Sequence, residues 1–138
     1  MENRLRVKAY YSDTDAYGVV WHGSYLRWME MGRVNFSQQY GLDLLKLQKN
    51  DIVLPVVEVG IRYKLSAMLD EDLEVITTVD NVSVTSITFK QIIKSIARDK
   101  TCIEGTVKVV AVNSKGELYR RLPKVLADAF KQEAAANV

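Results

Sequence analysis

The stretch YSDTDAYGVVWHGSY, residues 11–25, holds two aspartates, a glycine and the chain's one histidine. Asp15 lies a few residues ahead of His22, and Gly18 between them permits a tight turn that folds the carboxylate back toward the histidine. If a helix starts just after His22, Val19 to Gly23 present unpaired amide N–H groups carrying about half a positive charge. A carboxylate beside such amides is the minimum kit for hydrolysing an activated acyl bond. The carboxylate attacks the carbonyl or deprotonates a water, and the amides take the developing negative charge. His22 would donate to the carbonyl, position the nucleophile or shuttle a proton. The same residues also have a purely structural reading. Asp and Thr before a helix form Asx and Ser/Thr turns, and a histidine there can simply cap the helix. Asp13 is assigned that structural role, bonding within the loop.

The elements that must position these groups can be read from periodicity. Arg4 to Tyr11 alternates, with Leu5, Val7 and Ala9 on one face, and predicts a strand. From Ser24 to Tyr40 the spacing changes to three and four: Tyr25, Trp28, Met29, Gly32, Phe36 and Tyr40 mark one face of a helix. Ser24 is the candidate N-cap and Gly41 the candidate stop. Gly32 inside the stripe costs about 1 kcal/mol of helix propensity against alanine, which predicts close approach to another backbone. Leu42 to Leu47 continues as a short helical piece. Val53 to Tyr63, Leu73 to Val79, Val84 to Ile96 and Ile103 to Val112 are rich in β-branched residues and separated by polar turns. In the last, Ile103, Gly105, Val107, Val109 and Ala111 face inward. A bulge near Lys90–Gln91 is predicted where alternation slips between Phe89 and Ile92. Leu122, Leu126, Ala129 and Phe130 suggest a closing helix with Pro123 in its first turn. One strand, a long helix and four more strands imply an α+β fold: an antiparallel sheet curled around the helix.

Bulk properties narrow the function. A chain of 138 residues, 48% of them hydrophobic, predicts a single domain over residues 1–138 with one core. Nineteen basic against seventeen acidic side chains leave a formal charge of +2, too little to argue for nucleic acid. No membrane span and no secretory h-region is visible, and the single cysteine, Cys102, reads as a buried core residue in a reducing compartment. The expectation is a cytoplasmic protein. One histidine and one cysteine do not supply a metal-ligand set, so neither metal nor cofactor is expected.

The run Y-x-D-T-D-A-x-G-V-V-x-H-x-x-Y-L-x-x-x-E-x-x-R resembles the hotdog-fold acyl-CoA thioesterases. The group is that of 4-hydroxybenzoyl-CoA thioesterase and the Tol–Pal-associated acyl-CoA thioesterases, the latter more closely. The similarity continues through Leu54 to Val57, Tyr63, the L-D-x-x-L-E-V segment from Leu69, T-S-x-x-F-x-Q at Thr85 to Gln91, and L-P-K at Leu122 to Lys124. It implies a long central helix wrapped by a five-stranded antiparallel sheet, and pairing of copies into a dimer or homotetramer. It implies hydrolysis of an acyl-CoA or acyl carrier protein thioester, with Asp15 as the catalytic carboxylate, His22 as its companion, and amides around His22 and Gly23 polarising the carbonyl.

Further residues follow from that resemblance. Relatives often carry proline where Ser66 stands, and basic residues where Thr85, Ser86 and Ile87 stand. Lys64, Lys90, Lys94 and Arg98 are therefore candidates for the nucleotide phosphates, or else ordinary surface charges. Tyr17 stands where many relatives have a small residue. Tyr25 and Trp28 face either an acyl chain or the core. Another hotdog branch uses a helix glutamate, but Glu30, with Arg27 and Arg33 three residues away on either side, reads as an ion-pair member. Two rival functions remain: a hydratase or dehydratase of acyl thioesters, whose F-P-rich loop is absent after His22, and a non-catalytic acyl-CoA-binding protein.

Overall fold

In a computed structural model, which describes residues 2–136, the predicted elements form in the predicted order. They are β1 (Asn3–Lys8), α1 (Ser24–Gln39), α2 (Leu44–Lys49), β2 (Val56–Tyr63), β3 (Asp72–Val82), β4 (Ser86–Ser95), β5 (Lys100–Val110) and α3 (Lys124–Ala136). The strands make one antiparallel sheet in the order β1-β3-β4-β5-β2. The long helix α1 packs on one face of it, as the hotdog arrangement requires, against β1, β3 and β4. Its stripe of Tyr25, Trp28, Met29, Gly32 and Phe36 is buried. The α3 helix closes the far end of the core: the Phe130 ring stacks on Phe36 at 5.9 Å and meets Phe89 edge-on at 5.7 Å. No helix among the described residues is long and apolar enough to cross a membrane.

Several boundaries shift for identifiable reasons. The first strand ends at Lys8, because Tyr11–Asp13 turns into a single 3-10 turn. The strand expected from Val53 joins the ladder at Val56 and pairs in unbroken register only from Glu58. Val53 makes an isolated bridge with Val112, and Pro55, lacking an N–H, separates that bridge from the ladder. Asp43 starts α2, its carboxylate accepting from the Leu45 amide at 2.9 Å. Ser24 is not the N-cap. It is the first helical residue, Gly23 holds the cap position, and the Ser24 hydroxyl donates instead to the Asp13 carbonyl at 2.9 Å. Pro123 lies just ahead of α3, with its carbonyl accepting from Leu126 and Ala127.

The alternation that slips near Phe89 does not reflect a bulge there. Register runs unbroken through Phe89, Lys90 and Gln91 against both neighbours, and the irregularities lie at Val79/Asn81 and Ile93/Lys94. The slip is chemical: Gln91 points inward and is fully buried. Its Nε2 donates to the Met29 carbonyl (2.8 Å) and Thr77 Oγ1 (2.9 Å), while its Oε1 accepts from Arg33 (3.0 Å). Gly32 sits directly over this group. A Cβ there would lie 2.7 Å from Val75 Cγ1, 2.8 Å from Thr77 Oγ1 and 3.0 Å from Gln91 Nε2. The close approach expected of Gly32 is thus to side chains of the sheet, not to backbone.

Candidate active site

The segment between β1 and α1 divides its work between its two aspartates. Asp13 is 3% exposed. One carboxylate oxygen accepts from the Tyr10 amide at 2.9 Å and the other pairs with Arg27, while its carbonyl accepts from the Trp21 amide and the Ser24 hydroxyl. That bonding ties the loop to the first turn of α1. Asp15 opens the turn. Its amide donates to Val19 (2.9 Å), its carbonyl accepts from Gly18 (3.0 Å), and Oδ1 accepts from the Tyr17 amide (2.9 Å). Gly18, at φ +80°, supplies the left-handed residue that this turn needs. The returning arm is anchored by the Val20 amide on the Ala67 carbonyl at 2.9 Å.

The turn brings Asp15 and His22 to one cleft of about 400 Å³. Tyr17, Val19 and Val20 from the loop, Tyr25 from α1, and Tyr63, Lys64, Leu65 and Ser66 from the end of β2 and the segment after it complete its lining. Asp15 Oδ2 and the His22 ring accept or donate no hydrogen bond among the described residues. The His22 ring packs tilted on Trp21 at 5.0 Å. The amides of His22 and Gly23 likewise have no acceptor among the described residues. Tyr25 is almost wholly buried, its hydroxyl accepting from the Ala67 amide at 3.0 Å and its ring meeting Tyr63 edge-on at 5.7 Å.

The wall after β2 is held by a charged cluster. Arg98 donates to both oxygens of Glu71 (2.7 and 2.6 Å) and to the Ser66 carbonyl (3.0 Å). Burial pushes the Glu71 carboxyl up, but bonds from Arg98, Ser95 and the Met68 amide together hold it below the ordinary carboxylate range. Arg98 is therefore committed to shaping the cleft, and Lys94 pairs with Asp99 at 2.7 Å. Lys64 lines the cleft and also pairs with Glu104 at 3.0 Å. Lys90 is exposed on β4, opposite Thr78 and Thr106, and does not line this cleft. Glu30 makes no direct ion-pair contact among the described residues, because Arg27 turns to Asp13 and Arg33 to Gln91; its charge acts on Arg33 only at longer range, as an attraction that favours the charged guanidinium. Sequence spacing did not single out Tyr63, Leu65 or Ser66 as neighbours of Asp15. Some 41 residues separate Tyr63 from His22, a distance that only the sheet closes.

Residues 11–130 match the family model described as the thioesterase-like superfamily. The chain belongs to the thioesterase-like superfamily. Within it, the acyl-CoA thioester hydrolase YbgC of Escherichia coli is 33% identical over 129 residues, covering 94% of this chain and 96% of that protein. A putative esterase of Synechocystis is 31% identical over 128 residues, 92% of this chain and 76% of its own. Among solved structures, a 4-hydroxybenzoyl-CoA thioesterase mutant complexed with 4-hydroxybenzoyl-CoA superposes with a TM-score of 0.84. It does so at 17% identity, over 94% of this chain and 98% of that one, and shows the shared hotdog fold.

Proposed function

We propose that this member of the superfamily hydrolyses an acyl-CoA or acyl carrier protein thioester to free acid and thiol, with Asp15 and His22 at the reaction centre. The observation that carries the reading is their meeting in one cleft, at a helix entrance whose His22 and Gly23 amides are left without acceptors. Family membership makes the chain a thioester hydrolase.

Asp15 Oδ1 is held by the Tyr17 amide, which leaves Oδ2 to act. As a general base, Oδ2 takes a proton from water and the oxygen adds to the thioester carbonyl. As a nucleophile, Oδ2 adds directly, the thiolate leaves, and water then cleaves the acyl-aspartyl anhydride. In both routes the carbonyl oxygen gains charge facing the His22 and Gly23 amides, the C–S bond breaks, and the thiolate collects a proton, for which the His22 ring is the available shuttle. Tyr25 and the apolar part of the cleft would take the acyl group, and Lys64 the phosphates of the carrier, while Lys90, outside the cleft, is given no role.

A second copy of the chain goes with this reading. Beyond its pairing with β5, strand β2 ends the sheet, and Val56, Val57 and Val59 stand exposed along it. An open apolar edge of this kind pairs readily with its own copy. We assign it to a dimer, with tetramers formed by pairs of dimers, measurable by light scattering. A cytoplasmic location also fits, since acyl-CoA is intracellular and the buried Cys102 thiol stays reduced there.

The decisive experiment is thiol release from short, medium, long and aromatic acyl-CoAs by wild type and Asp15→Asn. Wild type should turn over part of the panel, and the variant should lose a hundredfold or more while staying folded. Single turnover in ¹⁸O-water, followed by mass spectrometry of the protein, identifies the nucleophilic route where label appears in Asp15, and trapping of an acyl-enzyme by rapid quench covers cleavage of the anhydride at its acyl carbon, which leaves Asp15 unlabelled. Tight binding without release by wild type would leave an acyl-CoA-binding protein. Conversion of enoyl or 3-hydroxyacyl thioesters without thiol release would leave a hydratase or dehydratase.

A further inference from the structure

The Tyr63 hydroxyl donates to the His22 carbonyl at 2.7 Å, a hydrogen bond that joins the end of β2 to the entrance of α1. The bond matters because of which peptide it touches. The His22 carbonyl and the Gly23 N–H belong to one planar trans unit, so they point in opposite directions. A hydrogen bond accepted at the carbonyl draws electron density through the unit and makes the N–H at its other end a stronger donor. Among the described residues that N–H has no acceptor of its own.

The donor is held firmly. Tyr63 is the last residue of β2, paired with Ile103, and the next residue's amide bonds the Cys102 carbonyl at 2.8 Å. Its ring leans edge-on against Tyr25, which is itself pinned by the Ala67 amide. The accepting peptide is held as well. The Ser24 amide donates to the Trp21 carbonyl at 2.9 Å, and a Cβ at Gly23 would overlap the Trp21 ring. Partial burial keeps the Tyr63 phenol above its ordinary range and so protonated as a donor.

We infer that Tyr63 is a positioning residue for the thioester hydrolysis: by donating to the His22 carbonyl it orients and polarises the His22–Gly23 peptide, whose N–H stabilises the developing oxyanion. This rests on the thioesterase reading of the cleft. Its effect belongs to the transition state, where the oxygen carries most charge, and so to kcat rather than to substrate binding.

The test combines steady-state kinetics with the resonances of the His22 carbonyl carbon and the Gly23 amide nitrogen. Tyr63→Phe keeps the ring and removes only the donor. It should lower kcat about tenfold, less than deleting an oxyanion donor outright, with KM within about twofold of wild type. Both resonances should shift in the variant. Replacing Tyr63 with 3-fluorotyrosine, a more acidic donor, should restore kcat to wild type or above when assayed well below the phenol pKa. An unchanged kcat in Tyr63→Phe, while Asp15→Asn is inactive, would overturn this inference and leave the thioesterase reading intact. So would a loss confined to KM, or an unmoved Gly23 resonance. Absence of turnover by wild type on CoA and carrier-protein thioesters alike would overturn the reading of the cleft and this role with it. That failure is recognisable because the resonance shifts would persist.

Discussion

Two polar regions lie along α1, and they are built on opposite terms. Beneath its middle, Gln91 spends both amide hydrogens on Met29 and Thr77 and its oxygen on Arg33, with Gly32 pressed on top. Asp13 is treated the same way, with both oxygens engaged and the residue buried. At the entrance of the helix, Asp15 keeps one oxygen open, the His22 side chain makes only a ring contact, and the His22 and Gly23 amides lack acceptors among the described residues. Buried polar groups must be satisfied or they cost stability, so saturation marks a group whose work is structural. Groups left open at the wall of a cleft are available to a ligand. Asp13 and Asp15, two residues apart and identical in chemistry, are thus separated by their surroundings.

The largest effect that sharpens this contrast comes from the two aspartates taken together. Asp15→Asn should remove a hundredfold or more of kcat/KM and leave the denaturation midpoint near wild type. Asp13→Asn should do the reverse. Losing the charge that holds Arg27 and receives the Tyr10 amide should cost about 2–3 kcal/mol of stability, with the folded fraction retaining most of its activity. Urea titration beside thiol-release kinetics checks both. Equal loss of activity in two equally stable variants would break the distinction.

The sequence made Asp15 and His22 legible because a single turn joins them, and turn chemistry is local. The helix and strands were legible because their apolar spacing is regular. What stayed hidden depends on residues far apart in the chain. Gln91 looked like a lapse in alternation because its partners, Met29, Thr77 and Arg33, come from two other elements. Arg27, three residues from Glu30, goes instead to an aspartate 14 residues away, since a carboxylate that is already buried gains more from a partner than an exposed one does. Ser24 looked like a cap because its type suits one, yet an acceptor carbonyl at Asp13 drew its hydroxyl inward. The approach of Tyr63 to His22 requires β2, β5 and the loop after β2 all to be in place.

A smaller effect tests the saturated seam. Gly32→Ala gains about 1 kcal/mol of helix propensity, but the added methyl meets Val75, Thr77 and Gln91 at 2.7–3.0 Å. Gln91 cannot swing away without giving up its three bonds. Overpacking costs of about 1–3 kcal/mol should therefore win, for a net loss near 1 kcal/mol in a urea titration. A stabilised variant would mean that the seam yields more easily than its bonding implies.

The smallest effect lies at the rim of the open region. Lys64 and Glu104 are each about two-fifths exposed, at 41% and 41%. An ion pair so placed is worth at most about 1 kcal/mol, and Lys64→Gln should scarcely move the denaturation midpoint. If Lys64 also meets a phosphate of the carrier, the variant should show a KM for acyl-CoA several-fold higher, with kcat unchanged. The difference should shrink as added salt screens the exposed charges, over a Debye length of about 8 Å at physiological ionic strength. An acyl-pantetheine substrate, which lacks the nucleotide phosphates, should show no difference between variant and wild type. Equal KM values for acyl-CoA would return Lys64 to the ranks of paired surface charges. The rim of the cleft would then be as saturated as the seam beneath the helix, and its openness would be confined to Asp15, His22 and the amides beside them.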